Sequence, residues 1–190
     1  MTIVYNLTLT TQNISTLLVL CNKGNQLAQL EVYNRYQHAM YNTAIRIVKD
    51  TAEAEDVMQE SFITAFSKLE SLKDGATFGS WLKRIVINNS ISQFNKSKRF
   101  VHIEDEQFKE EYEEDSFSVS SEDYSNTKVA EVMHCMEGLN TNYSQILTLH
   151  FIEGFDYEEI CGILNISYAN CRTLISRAKE SLRKKLIVTT

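Results

Sequence analysis

The sequence predicts an all-α protein, two small helical domains joined by an acidic flexible linker, and three observations carry that expectation. No proline interrupts the 190 residues. Apolar side chains recur at three- and four-residue steps almost throughout. Acidic residues crowd into one stretch: residues 1–99 hold 11 basic and 8 acidic side chains, residues 100–126 hold 1 and 10, and residues 127–190 hold 7 and 7. The net charge of −6 is therefore a property of the middle of the chain. Dense like charge with little aliphatic content buries too little surface to offset the entropy of ordering, so residues 100–126 are expected to be flexible. The domains are then 1–99, with a short extra N-terminal segment at 1–23, and 127–190.

Taken in order, a short helix is expected near residues 14–21. Gly24-Asn25 opens a longer one to Val48, with Leu30, Tyr33, Met40, Ala44 and Ile47 on its buried side. Thr51 is a candidate cap for a helix to about Leu69 that buries Ala54, Val57, Met58, Phe62, Ala65, Phe66 and Leu69. A loop at 70–77 leads to a helix from Phe78 to about Asn95, burying Phe78, Trp81, Leu82 and Ile85. These elements make a helical bundle. Glu53, Asp56, Gln59 and Glu60 form an acidic and amide stripe suited to a basic protein surface, whereas Lys83, Arg84, Asn88, Gln93 and Lys96 suit a phosphate backbone. Taken alone, either stripe is better read as the wet side of a bundle.

Residues 154–186 read as a helix-turn-helix. Asp156 can cap its first helix, with Glu159 three residues on completing a capping box, and Ser167 can cap the second. Asn165 stands where the turn needs a residue tolerant of a left-handed backbone. In the second helix Cys171, Ile175, Ala178, Leu182 and Leu186 make the apolar stripe, while Asn170, Arg172, Thr173, Ser176, Arg177, Lys179, Arg183 and Lys184 turn outward. Glu180 is the sole acid between Tyr168 and Leu186. Arg and Asn pair bidentately with guanine and adenine in a major groove, and Lys and Arg neutralise phosphates. The bland alternative is a solvated helix end, where cations are favoured by the dipole.

Several classes are disfavoured. No run approaches the ~18 apolar residues of a membrane span, and Leu17-Leu18-Val19-Leu20 lacks the preceding basic residue of a secretory signal, so a cytoplasmic protein is expected. Cys21, Cys135, Cys161 and Cys171 form no C-x-x-C pair and read as reduced core thiols. Glu131-x-x-His134 matches half of a di-iron carboxylate pattern, but that site needs the motif twice with two further Glu residues. No Gly-rich phosphate loop or nucleophile motif is present. The expectation is a protein that is not an enzyme, with no cofactor, no metal and no catalytic residue.

Residues 25–99 and 129–186 together resemble regions 2 and 4 of bacterial RNA polymerase sigma factors of the extracytoplasmic-function (ECF) group. The residues that carry the resemblance are AEAEDVMQESFITAFSKL at 52–69, TFGSWLKRIVINNSI at 77–91, GLNTNYSQILTLHFIEGFDYEEICGILNIS at 138–167 and NCRTLISRAKESLRKKL at 170–186. They occur in the family's order, with a linker where the family has one. The resemblance implies a subunit that binds core RNA polymerase and directs recognition of the −10 and −35 promoter elements and transcription initiation. It places Glu53, Asp56, Gln59 and Glu60 against the polymerase clamp helices. The loop with Ser71 and Lys73, together with Lys83, Arg84, Asn88 and Ser92, falls on the unpaired −10 strand; Asn170, Arg172, Thr173, Ser176, Arg177 and Lys179 fall on the −35 element. The polymerase flap is implied as a second contact, and an anti-sigma factor as a candidate partner.

Capture of extruded bases in a loop flanked by cations is physically reasonable. By the same resemblance the linker threads the RNA-exit path, which favours its acids as a nucleic-acid mimic over a passive spacer. The chain also departs from the family. Asn140-Thr141-Asn142 stands where a proline is common, with Asn142 and Gln145 available as an alternative cap; Leu174 stands where many members carry Arg; Asn89 and Ser92 replace residues commonly apolar and acidic. A free-standing helix-turn-helix regulator, binding DNA without polymerase, is the competing reading.

Overall fold

The structure, a computed structural model, describes residues 9–104 and 127–189. The chain divides into two units, Met1–Asp105 and Glu106–Thr190. The expected flexibility of the linker falls mostly on residues 105–126, outside the described residues.

In the first unit, α1 (Ile14–Asn22) begins where the Asn13 side chain accepts a hydrogen bond from the Thr16 amide at 2.8 Å. The chain reverses through Gly24 at φ +77°, a conformation glycine adopts without steric cost. Asn25 then caps α2 (Gln26–Val48), which ends at Lys49 in the left-handed region, φ 61°. The next helix, α3 (Thr51–Ser67), corrects the expected cap: Asp50 holds it, its carboxylate accepting from the Glu53 amide at 2.8 Å. Asp50 has the extended backbone of a cap, and its negative charge favours the helix N-terminus more than the Thr51 hydroxyl would. The expected helix to Leu69 also stops early. Leu69 is buried all the same, within a separate 3-10 turn, Leu69–Ser71.

A second 3-10 turn, Gly75–Thr77, leads into α4 (Phe78–Glu104). This helix continues well beyond Asn95, so the first five residues of the expected linker are helical. The bundle core joins Leu17, Ala28, Val32, Ala44, Ala54, Val57, Phe62, Ala65, Phe78, Leu82 and Val86. Fully buried alanines at 28, 44, 54 and 65 allow close helix approach, and Tyr33 packs on Phe62 with ring centroids 4.8 Å apart. Leu30 is half exposed, against expectation. At this end α2 turns Ala28 and Val32 inward, with α1 packed against it, and residue 30 is left on the opposite side.

The second unit comprises α5 (Thr127–Glu137), α6 (Thr141–Leu147), a π turn (Thr148–Ile152), α7 (Tyr157–Leu164) and α8 (Tyr168–Thr189). Asn140, rather than Asn142 with Gln145, caps α6, accepting from the Asn142 amide at 3.0 Å. Asn140 has the extended ψ of a cap, while Asn142 already lies inside the helix. Gly154 at φ +79° turns the chain into α7. There Asp156 and Glu159 form a reciprocal capping box, with bonds of 2.8 and 3.2 Å. Asn165 at φ 53° closes α7, and Ser167 Oγ accepts from the Asn170 amide to open α8. Cys171, Ile175, Ala178 and Leu182 are buried along α8, as the stripe predicted. Among the described residues there is no strand.

Candidate nucleic-acid and protein interfaces

Two rows of side chains leave α8 on the face opposite its buried stripe. Asn170, Thr173 and Arg177 follow one spacing and Arg172 and Ser176 the next, and all five are exposed. Thr173 Oγ1 donates to the Ala169 carbonyl at 2.9 Å, which leaves its oxygen able to accept from a base. Lys179 differs from the rest of the expected set. It is half-buried, with its ammonium 5.0 Å from the Phe151 ring centroid, so it is drawn to the flank by a cation–π contact. Arg183 and Lys184 approach Glu180 at 3.8 and 3.9 Å as exposed pairs, worth little in water. Tyr168, half exposed at the first residue of α8, was missed from sequence, where it reads as one more helix-start residue.

On α3, Asp56, Gln59 and Glu60 are exposed together, and Ile63, 70% exposed, extends their face by one turn. Glu53 is set apart from them. It is half-buried and accepts from Gln93 Nε2 of α4 at 3.3 Å, so it fastens two helices together. A second polar bridge explains Asn89: its Nδ2 donates to Ser61 Oγ at 3.0 Å, and that hydroxyl donates to the Val57 carbonyl. The polar residue at 89, half-buried, is matched by the buried hydroxyl of Ser61 across the helix seam.

The segment 70–77 is more ordered than a plain loop. Leu69 and Leu72 anchor it in the core, Asp74 accepts from the Ala76 amide at 2.9 Å, Thr77 Oγ1 donates to the Asp74 carbonyl, and Ser71 Oγ donates to the Lys68 carbonyl. Ser71 and Lys73 are exposed on it. It runs directly into α4, where Arg84, Asn88 and Ser92 are exposed at four-residue steps, a row of roughly 12 Å. Lys83 is half-buried beside that row.

An open, apolar groove of about 390 Å³ in the second unit, lined by Val129, Val132, Met133, Met136, Phe151 and Leu182, was not foreseen. Its signal was present in the exposed Val129 and Phe151, which serve no core. Burial pushes the Cys21 thiol up to about 11. Burial, then contact with the Cys161 thiol, does the same to Cys171. His134 is exposed and Glu131 half-buried, and no group of three metal-ligating side chains gathers among the described residues. No helix among them is long and apolar enough to cross a membrane.

Residues 32–100 match the family described as Sigma-70 region 2, and residues 129–182 match Sigma-70, region 4. The ECF RNA polymerase sigma factor SigW of Bacillus subtilis (strain 168) is 30% identical over 177 residues, 86% of this chain and 91% of the relative. SigM of the same organism is 30% identical over 154 residues, 80% and 91% of the two chains. The solved sigma factor RpoE of Bartonella quintana, in complex with the anti-sigma factor NepR, has the same fold: TM-score 0.59 at 23% identity, over 84% of this chain and 97% of that one.

Proposed function

The chain belongs to the extracytoplasmic-function group of the sigma-70 family, and on that footing we propose which of its surfaces meets which partner. It is an RNA polymerase sigma factor, which binds core polymerase and directs promoter recognition and transcription initiation. Asp56, Gln59 and Glu60 dock on the clamp helices, with Glu53 holding α3 in place behind them. Ser71 and Lys73, with Lys83, Arg84, Asn88 and Ser92, hold the unpaired −10 strand. Asn170, Arg172, Thr173, Ser176 and Arg177 read the −35 duplex, with Lys179 at its flank. The flap meets the second unit, where the groove beside Phe151 suits an apolar segment. The first domain is taken to run to residue 104, because α4 continues that far, and the acidic residues from there to 126 to join it to the second.

The observation that carries this reading is the sorting of charge: one exposed acidic face on α3, and a cationic and amide face on a capped α8. The protein acts in the cytoplasm and has no chemistry of its own; nucleotide addition belongs to the core enzyme. An anti-sigma factor, such as the one bound to the Bartonella quintana relative, is a further partner. Run-off transcription from a promoter library, with core polymerase and with the protein alone, tests the reading. Transcripts from discrete promoters are expected with core, and none without. Tight promoter binding by the free protein, with no stimulation of core, would identify a free-standing regulator instead.

A further inference from the structure

We propose that α1 and Arg35 form a brace that sets the position of the 70–77 segment, which makes Ser15, Gly75 and Arg35 positioning residues for capture of the unpaired strand. The inference rests on the reading of that segment as the −10 site. Gly75 opens the second 3-10 turn with its backbone against the first turn of α1. A Cβ at Gly75 would lie 2.9 Å from Ser15 Oγ, closer than real Cβ atoms come, and 3.3 Å from Ser15 Cα and Cβ, tight enough that the neighbour must give. Its φ lies outside the left-handed region, so glycine is needed there for space rather than for backbone conformation. One flank of the segment hangs from the core through Leu69 and Leu72, while the other rests on α1.

A nine-residue helix is marginal by itself in water, so α1 owes its position to what holds it. Leu17, Leu18 and Cys21 bury one side. The other anchor is Arg35 on α2. Its Nη1 donates to the Gln12 carbonyl at 2.9 Å, its Nη2 to the Leu9 and Thr10 carbonyls at 3.2 and 2.9 Å, and its Nε to Glu31 at 2.8 Å. Every guanidinium nitrogen is engaged, three of these bonds going to the turn that precedes α1. Only the planar fork of arginine spans such a set. Arg35 is therefore committed to holding that turn, although as a cation in the first unit it would otherwise pass for a phosphate contact. A pocket for an extruded base binds more tightly when its backbone is already fixed, because the ordering cost has been met in folding.

The test uses holoenzyme, core polymerase with each variant chain. The probes are single-stranded DNA selected by wild-type holoenzyme from a randomised pool and, separately, duplex carrying the upstream element. Arg35→Ala and Gly75→Ala are expected to weaken the single-strand probe by about 5- to 30-fold, the factor for ordering one residue's backbone anew. Upstream duplex binding should stay as in wild type. Ser15→Ala combined with Gly75→Ala removes the nearest clashing atom and should restore most of the loss. Wild-type single-strand affinity in both single variants, alongside a loss in Lys73→Ala, would overturn the brace and keep the site. No loss in Lys73→Ala or in Ser71→Ala would overturn the reading of the site itself. An equal loss on both probes, or no rescue by Ser15→Ala, would mean a general distortion and also overturn the brace.

Discussion

Ile175→Ala should unfold the second unit while leaving the first intact, and the chain carries its own reporter for the difference. Ile175 is 1% exposed on the buried stripe of α8, in line with Cys171, Ala178 and Leu182. Truncating such a side chain removes its transfer free energy and leaves a cavity, together about 2–5 kcal/mol. A unit of this size has little stability in reserve, and its melting temperature falls by about 4–8 °C per kcal/mol, so a drop of roughly 8–40 °C is expected. Trp81 is the only tryptophan and belongs to the first unit, half-buried beside Phe78 with ring centroids 6.0 Å apart. Far-ultraviolet circular dichroism reports both units, whereas tryptophan fluorescence reports one. The variant should show an early helical transition to which fluorescence is blind. Leu82→Ala, at a fully buried position of α4, should reverse the pattern. Function should divide likewise, Ile175→Ala keeping the clamp contact of α3 and losing the flap contact and the upstream element. A common shift in both signals would refute the reasoning, because it would show the units unfolding as one.

Asp56→Lys and Glu60→Lys place the wrong charge on an exposed face, so core affinity should fall while the Trp81 transition stays put; unchanged affinity in a pull-down titration would remove α3 from the interface. Arg172→Ala should cost about 1–3 kcal/mol at the upstream element if the guanidinium pairs with a guanine, and a loss uniform over all duplexes in a competition assay would make it a phosphate contact. The thiols of Cys21 and Cys171, both raised to about 11, keep their protons more tightly in the folded chain than in the unfolded one. Their contribution to stability is therefore full below about pH 9 and declines as pH rises through 11. Alkylation at pH 8 should accordingly reach the half-buried Cys161 before either of them, which mass mapping of labelled peptides would check.

The parts legible in the sequence were those in which one residue decides a local geometry. Asn165 had to be left-handed because two helices needed a corner, and the Asp156–Glu159 box announced where α7 begins. The buried stripe of α8 followed from its spacing alone. What escaped were choices settled by a partner distant in sequence. Glu53 shares its stripe's spacing with Asp56 and Glu60, and Gln93, forty residues on, draws it inward. Lys179 looks like any outward cation until Phe151 is placed beneath it. Leu30 was assigned to the core by periodicity, but α1 packs on a different side of α2. The Asp50 cap was a nearer miss, since Asp and Thr stood side by side and the helical pattern allowed either to be the last residue outside.

On the proposed assignment of surfaces, the placement of charge makes duplex binding by α8 alone weak. Residues 127–190 carry as many acidic as basic side chains, 7 of each, yet six of the cations lie on α8. Their present contacts divide them. Lys179 leans on Phe151, Lys185 donates to the Gly138 carbonyl, and Arg183 and Lys184 approach Glu180. Arg172 and Arg177 remain exposed on the face opposite the buried stripe. Electrostatic affinity grows with the number of phosphates neutralised, and two to four contacts support only weak binding near physiological salt. Strong promoter binding then requires the −10 and −35 contacts to be made by one tethered assembly, where each raises the effective concentration of the other.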